Sequence, residues 1–116
     1  MAFDKRAQFT PEEQQLAAIA KALGHPTRVA IVRLLAQRQT CVCGKLVLEL
    51  PLSQSTVSQH LKELKASGLV QGEVDGPRVC YRLDAAGWAV ARQLFSDLLA
   101  EMPAAAGDTP AASSCC

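Results

Sequence analysis

The stretch Leu52–Leu83, LSQSTVSQHLKELKASGLVQGEVDGPRVCYRL, constrains the fold more than any other part of the chain. Its first half has the period of a helix. Val57, Leu61 and Leu64 recur at i, i+4 and i+7, which places one apolar stripe toward a core. Ser53 precedes the stripe, and its hydroxyl is suited to accept an orphan N–H of the first turn. Gly68 follows it and supplies the left-handed residue that ends a helix. On the opposite face stand Ser55, Ser58, Gln59 and Lys62, with Gln54, Thr56 and His60 beside them. These side chains are small and polar and can read donor and acceptor patterns on base edges in a major groove.

The second half has the period of paired strands. Val70, Val74, Val79, Tyr81 and Leu83 alternate with Gln71, Arg78 and Arg82, around a turn at Asp75-Gly76-Pro77. The apolar set is expected to face inward. Arg78, at the turn exit, and Arg82 are placed to touch phosphate or minor groove. Upstream, Gly44-Lys-Leu-Val-Leu-Glu-Leu50 reads as a short helix, broken by Leu50-Pro51-Leu52. Helix, tight turn, helix and hairpin predict a mostly α chain with a small β-hairpin (α+β), a winged helix-turn-helix.

This order of motifs resembles the ArsR/SmtB metalloregulatory repressors. The resemblance is carried by Lys21-Ala-Leu-Gly-His-Pro-Thr-Arg28 with Ile31 and Leu34-Leu35, then Cys41-Val42-Cys43 and Leu52-Ser-Gln-Ser-Thr-Val-Ser-Gln-His-Leu-Lys62. It continues through Ala66-Ser-Gly-Leu-Val70. It extends from about Leu16 to Leu99. It implies a homodimer whose first and last helices pack across a two-fold, bound to an inverted-repeat operator in double-stranded DNA. The thiols point within the family to its arsenic- and antimony-sensing branch. That branch's thiol motif has a third cysteine where this chain has Leu46, so Cys80 or the terminal pair must complete a site.

The flanks fit this plan. Thr10-Pro11-Glu12-Glu13 reads as a helix start with a capping box. Leu16, Ile19, Ala20 and Leu23 form its apolar stripe, and Gly24-His25 ends it. Pro26 opens a second helix striped by Val29, Ile31, Val32, Leu34 and Leu35. Asp84 caps a last helix carrying Trp88, Ala91, Phe95, Leu98 and Leu99. Trp88 and Phe95 follow a complete winged-helix core, so few partners for them are expected within one chain. Residues 1–9 read as an N-terminal arm and 10–102 as the DNA-binding and dimerisation domain. From Pro103 the composition turns to Pro, Ala, Gly, Ser and Thr, so 103–116 reads as a disordered tail.

Charge adds little. Twelve basic and eleven acidic residues leave +1, far from the basic excess of many nucleic-acid binders. Positive potential must come from placement, with Arg28, Arg33, Lys62 and Arg78 expected on one surface. His25 reads as a capping residue beside Pro26, and His60 as a hydrogen-bonding partner of backbone or phosphate near the DNA face. No apolar run reaches the roughly 18–20 residues that span a bilayer, and no export leader is seen, which predicts a cytoplasmic protein without a membrane partner. Neither a phosphate-binding glycine loop nor a nucleophile–base constellation is visible, so an enzyme is not expected.

In reducing cytosol, cysteines serve as thiols or metal ligands rather than structural disulfides. Strand alternation turns Cys41 and Cys43 to the outer face around Val42, and Cys80 to the outer face between Val79 and Tyr81. Three thiols then share one side of a small sheet. Cys115-Cys116 end the tail, where packing does not explain them. Thiolate-only ligation selects thiophilic ions, here trivalent arsenic or antimony as inducer, with zinc or cadmium as further candidates. Two alternatives use the same cysteines: a redox- or persulfide-responsive repressor, and a metal-binding module without a DNA role.

Overall fold

The computed structural model describes residues 8–38, 50–75 and 78–104, with backbone alone at Gln54, Val74, Asp75 and Arg78. Along these the order is α1 (Pro11–Ala22), α2 (Pro26–Arg38), α3 (Gln54–Ala66), β1 (Val70–Asp75), β2 (Arg78–Leu83) and α4 (Ala85–Ala100). The predicted first strand at Thr40–Val42, the short helix at 44–50 (apart from Leu50 itself), the Gly76-Pro77 turn and the tail beyond Ala104 lie outside the described residues.

Each helix starts where local chemistry dictates. Thr10 accepts the Glu13 N–H through Oγ1 at 3.0 Å while the Glu13 carboxylate accepts the Thr10 N–H at 2.9 Å, closing a capping box ahead of Pro11. Ser53 Oγ accepts the Thr56 N–H at 3.3 Å to begin α3. Asp84 accepts the Gly87 N–H at 3.0 Å to begin α4. Gly68 takes φ +85° after α3, the backbone region where a side chain is strained.

The strands pair antiparallel, Val70 opposite Leu83 and Asp75 opposite Arg78. This register puts Val70, Gly72, Tyr81 and Leu83 on one face, and Gln71, Glu73, Cys80 and Arg82 on the other. The expected parity is therefore present, but its outcome is graded along the ribbon. Val70 is buried near the base, whereas Val79 near the tip is 40% exposed, because the core does not extend that far.

One core joins all of the elements. Ile19 and Ala22 of α1, Ile31 and Leu35 of α2, Val57, Leu61 and Leu64 of α3, Leu69, Val70 and Ala91 are buried. Two expected stripes need correction. Ala22 rather than Ala20 is buried in α1, because Ala22 is about 60° from Ile19 on the helix and Ala20 about 100°. Val29 is exposed, being about 160° around α2 from Ile31. The last helix also differs from expectation. Trp88 and Phe95 pack against the core of their own chain, and the Trp88 indole donates to the Leu69 carbonyl at 3.0 Å. Apart from Val29 and Val79, the large apolar side chains left open among the described residues are Val90, Leu98, Leu99 and Met102, with Phe9 before α1.

The base of α4 approaches the end of α3 very closely. The Leu69 carbonyl accepts the Asp84 N–H at 3.0 Å as well as the Trp88 indole, which uses both of its lone pairs. A Cβ on Gly87 would overlap the Gly68 carbonyl, so glycine is required there. No helix among the described residues is long and apolar enough to cross a membrane.

Candidate nucleic-acid interface

Burial of Val57, Leu61 and Leu64 fixes which side of α3 faces outward. Ser55, Ser58, Gln59 and Lys62 lie exposed on that side. The hydroxyls of Ser53, Ser55 and Thr56 cluster at the helix start, Ser53 Oγ lying 3.2 Å from Ser55 Oγ and 3.0 Å from Thr56 Oγ1. The N-terminal dipole adds partial positive charge at the same end, a favourable setting for phosphate. Lys62 is exposed two turns further on. The backbone of Gln54 opens the helix, while its side chain is outside the description.

Thr56 and His60 belong to a different flank. They lie about 100° and 60° from Val57, on the side away from Ser58 and Lys62. His60 is half-buried, and its Nδ1 accepts Arg28 Nε–H at 3.1 Å. One ring nitrogen of His60 is thus taken by a side chain, where a bond to backbone or phosphate was expected. Arg28 also donates through Nη1 to the carbonyls of Ala22 at 3.3 Å and Lys21 at 3.5 Å, the last turn of α1. A cation is well placed there against the negative end of the helix dipole. Arg28 is accordingly half-buried and turned inward rather than displayed with Arg33 and Lys62 on one basic surface. His25 behaves as expected: its Nδ1 accepts the Thr27 N–H at 3.1 Å in the first turn of α2. The two imidazole centroids are 4.6 Å apart at an interplanar angle of 48°. Burial, then the His25 ring and the Arg28 guanidinium, hold His60 below the ordinary imidazole range, with Glu63 pulling weakly the other way.

On the hairpin, Arg82 is committed to its own ribbon. Its Nη2 lies 3.0 Å from Glu73 Oε1, and its Nε donates to Gln71 Oε1 at 3.2 Å. Both charged side chains are about half exposed, so the pair contributes little stability, but it orients the outer face of the wing. Arg78 occupies the first position of β2, at the tip, where its backbone pairs with Asp75.

Cys80 stands opposite Glu73 on that outer face, as alternation predicts, and is half-buried and disulfide-bonded. With its sulfur paired in this way, Cys80 would ligate an ion only as the free thiolate. Cys41, Cys43, Cys115 and Cys116 lie outside the described residues. Among the described residues no group of three or more His, Cys, Asp or Glu side chains is disposed to hold a metal ion.

An amphipathic helix presenting a polar face, carried beside a two-stranded wing, defines a winged helix-turn-helix protein. Residues 25–71 match the family model for bacterial regulatory proteins of the arsR family. The repressor SmtB of Mycobacterium tuberculosis is 51% identical over 65 residues, 56% of this chain and 47% of that protein, so the match spans about half of the relative's length. A solved structure described as a possible transcriptional regulator for arsenical resistance is 38% identical, with TM-score 0.61 over 72% of this chain and 82% of its own. The homodimeric winged helix-turn-helix DNA-binding domain of a possible ArsR-family regulator from Mycobacterium bovis is 30% identical. It aligns over 87% of this chain and 89% of its own, with TM-score 0.61. This chain belongs to the arsR family. The relatives named here are described as transcriptional regulators.

Sequence reasoning missed Gly87 and the carbonyl of Leu69 as the joint between α4 and α3. It also missed Arg28 as the partner of His60. For Gly87 a signal was available, since glycine three residues after a capping aspartate is a poor helix former kept for another reason.

Proposed function

We propose that this chain is a homodimeric, DNA-binding transcriptional repressor that releases an inverted-repeat operator when its cysteines bind a thiophilic metalloid, trivalent arsenic or antimony. The observation that carries the DNA-binding part is the exposed face of Ser55, Ser58, Gln59 and Lys62 on a helix whose other side is locked into the core. Those four side chains read or position the major groove, while Arg78 at the wing tip serves the adjacent backbone. Residues 10–102 act as the DNA-binding and dimerisation unit. Its homodimeric relative and the apolar surface left open on α4 both support pairing of two copies.

The metalloid part is supported by the outward placement of Cys80 on the wing and by the similarity to a possible regulator of arsenical resistance. Reduced Cys80, with Cys41 and Cys43 or with Cys115 and Cys116, would supply the soft ligands. From Met102 to Cys115 is thirteen residues, at most about 43–47 Å of extended chain, a reach that would suit a site on the wing of either subunit. Zinc or cadmium would compete for the same thiolates. Release requires that the ion bind the DNA-incompetent conformation more tightly than the DNA-bound one.

A second reading is favoured by one observation, the disulfide at Cys80. Formation and reduction of that bond on the wing would switch DNA binding without any ion. The two readings separate in one experiment. Operator complexes are titrated with arsenite or antimonite under excess non-thiol reductant. Release supports the metalloid sensor, whereas complexes that persist under reductant and dissociate on oxidation support the redox switch.

A further inference from the structure

Arg28 Nε–H points at His60 Nδ1, and a guanidinium has no atom able to accept a hydrogen bond. His60 Nδ1 must therefore carry its lone pair, and the ring is neutral with its proton on Nε2. A proton added at Nδ1 would oppose the Arg28 N–H and set two cations in contact. The His25 ring, 4.6 Å away, compounds this, Lys21 lines one cleft with Arg28 and Glu63, and the acidic Glu63 works the other way. Arg28 simultaneously holds the end of α1 through the Ala22 and Lys21 carbonyls. One side chain thus links α1, α2 and the flank of α3. A cleft of about 470 Å³, lined by Lys21, Ala22, Arg28, Glu63 and Ser67 among others, gives Arg28 room to withdraw into water.

We propose that Arg28, His25 and His60 form a proton-sensitive clamp that positions the DNA-reading helix, and that proton uptake at His60 frees α3 from the α1–α2 junction and weakens DNA binding in acid. The inference rests on the DNA-reading role of α3. His60 is then a positioning residue and not a groove contact. The linkage has a definite sign. Because His60 is held below its ordinary range, its contribution is complete above about pH 6.5 and is lost as the pH falls through the folded-state value. A histidine that touched phosphate would do the opposite, since the polyanion would draw the proton on and binding would tighten in acid.

The test uses the full chain under reductant and a duplex selected from a randomised pool at pH 7.5. Affinity is followed to pH 5.5 at constant ionic strength, each protein being referred to its own value at pH 7.5. Wild type is expected to lose about tenfold, a size ordinary for coupled equilibria. His60→Gln, whose amide oxygen still accepts from Arg28 and does not titrate, is expected to lose less than about twofold. Equal slopes in the two proteins, or wild-type binding that tightens in acid, overturn the proposal. Imidazole ¹⁵N spectra of the free protein supply an independent readout. Nδ1 of His60 is expected to be unprotonated at pH 7.5, and α3 amide signals to shift together with its titration. A protonated Nδ1 at that pH overturns the clamp. If the pool yields no duplex at any pH, the DNA-reading role of α3 has failed, and the His60 ring nitrogen then decides the clamp alone.

Discussion

The helices α3 and α4 are built alike and finished differently. Both start on a side-chain cap, at Ser53 and Asp84, and both are amphipathic. In α3 the apolar stripe is satisfied inside one chain: Val57, Leu61 and Leu64 are 3% exposed or less, and the far side is polar. In α4 only Ala91 is fully buried, while Leu99 is 65% exposed and Val90 and Leu98 are also open, as is Met102 just beyond its end. Thus α3 covers its apolar stripe within one chain and offers hydrogen-bonding groups outward. By contrast, α4 keeps apolar area that one copy does not cover. A second copy is the simplest cover for it.

The largest expected effect breaks the comparison at the core. Leu64→Ala removes a fully buried side chain and is expected to cost about 2–5 kcal/mol in denaturant unfolding. Leu99→Ala should leave the stability of a single copy nearly unchanged and instead weaken self-association, read by sedimentation. Equal stability losses in the two variants would mean that α4 is as fully committed to its own chain as α3.

Next comes the joint between them. Gly87→Ala forces a Cβ onto the Gly68 carbonyl and is expected to cost about 1–3 kcal/mol, with a shift of the Trp88 indole fluorescence as its hydrogen bond to Leu69 is strained. An unchanged midpoint and spectrum would show that the two helices are less tightly joined than their geometry requires.

On the polar face, Gln59→Ala is expected to change discrimination among bases by about 1–3 kcal/mol. Lys62→Ala should instead flatten the salt dependence of binding by up to about one phosphate's worth of slope. Binding curves for both variants that coincide with wild type would remove this face of α3 from the interface. The smallest effect concerns the α4 cap. The Gly87 N–H, then the Gln71 side chain, hold the Asp84 carboxyl below its ordinary range, so its contribution to folding is present above about pH 3.9 and fades as the pH falls through the folded value. Asp84→Asn should flatten acid unfolding in that window, and an unaltered acid limb would show the cap to be indifferent to charge.

What was legible in the sequence was local. The capping box at Thr10 and Glu13, the caps at Ser53 and Asp84, the left-handed Gly68 and the Thr27 N–H taken up by His25 all involve residues two to three positions apart, or one backbone angle. Such interactions need no knowledge of the rest of the chain. The alternation that put Cys80, Gln71 and Arg82 on one face of the hairpin is equally local, because pleating alone enforces it. The polar side of α3, and with it the reading as a DNA-contacting helix, followed from periodicity.

Tertiary structure decided which of these groups were already spoken for. The bond from Arg28 to His60 spans 32 positions and that from Trp88 to Leu69 spans 19. Neither has a sequence signature, because bringing such residues together depends on how whole helices pack. Arg28 and Arg82 looked like free cations beside a DNA face. Packing gave the first to His60 and the α1 carbonyls, and strand pairing gave the second to Glu73 and Gln71. Periodicity and capping alone set which surfaces exist. Only the assembled fold decides which of their polar groups also hold internal partners, since those partners come from distant parts of the chain.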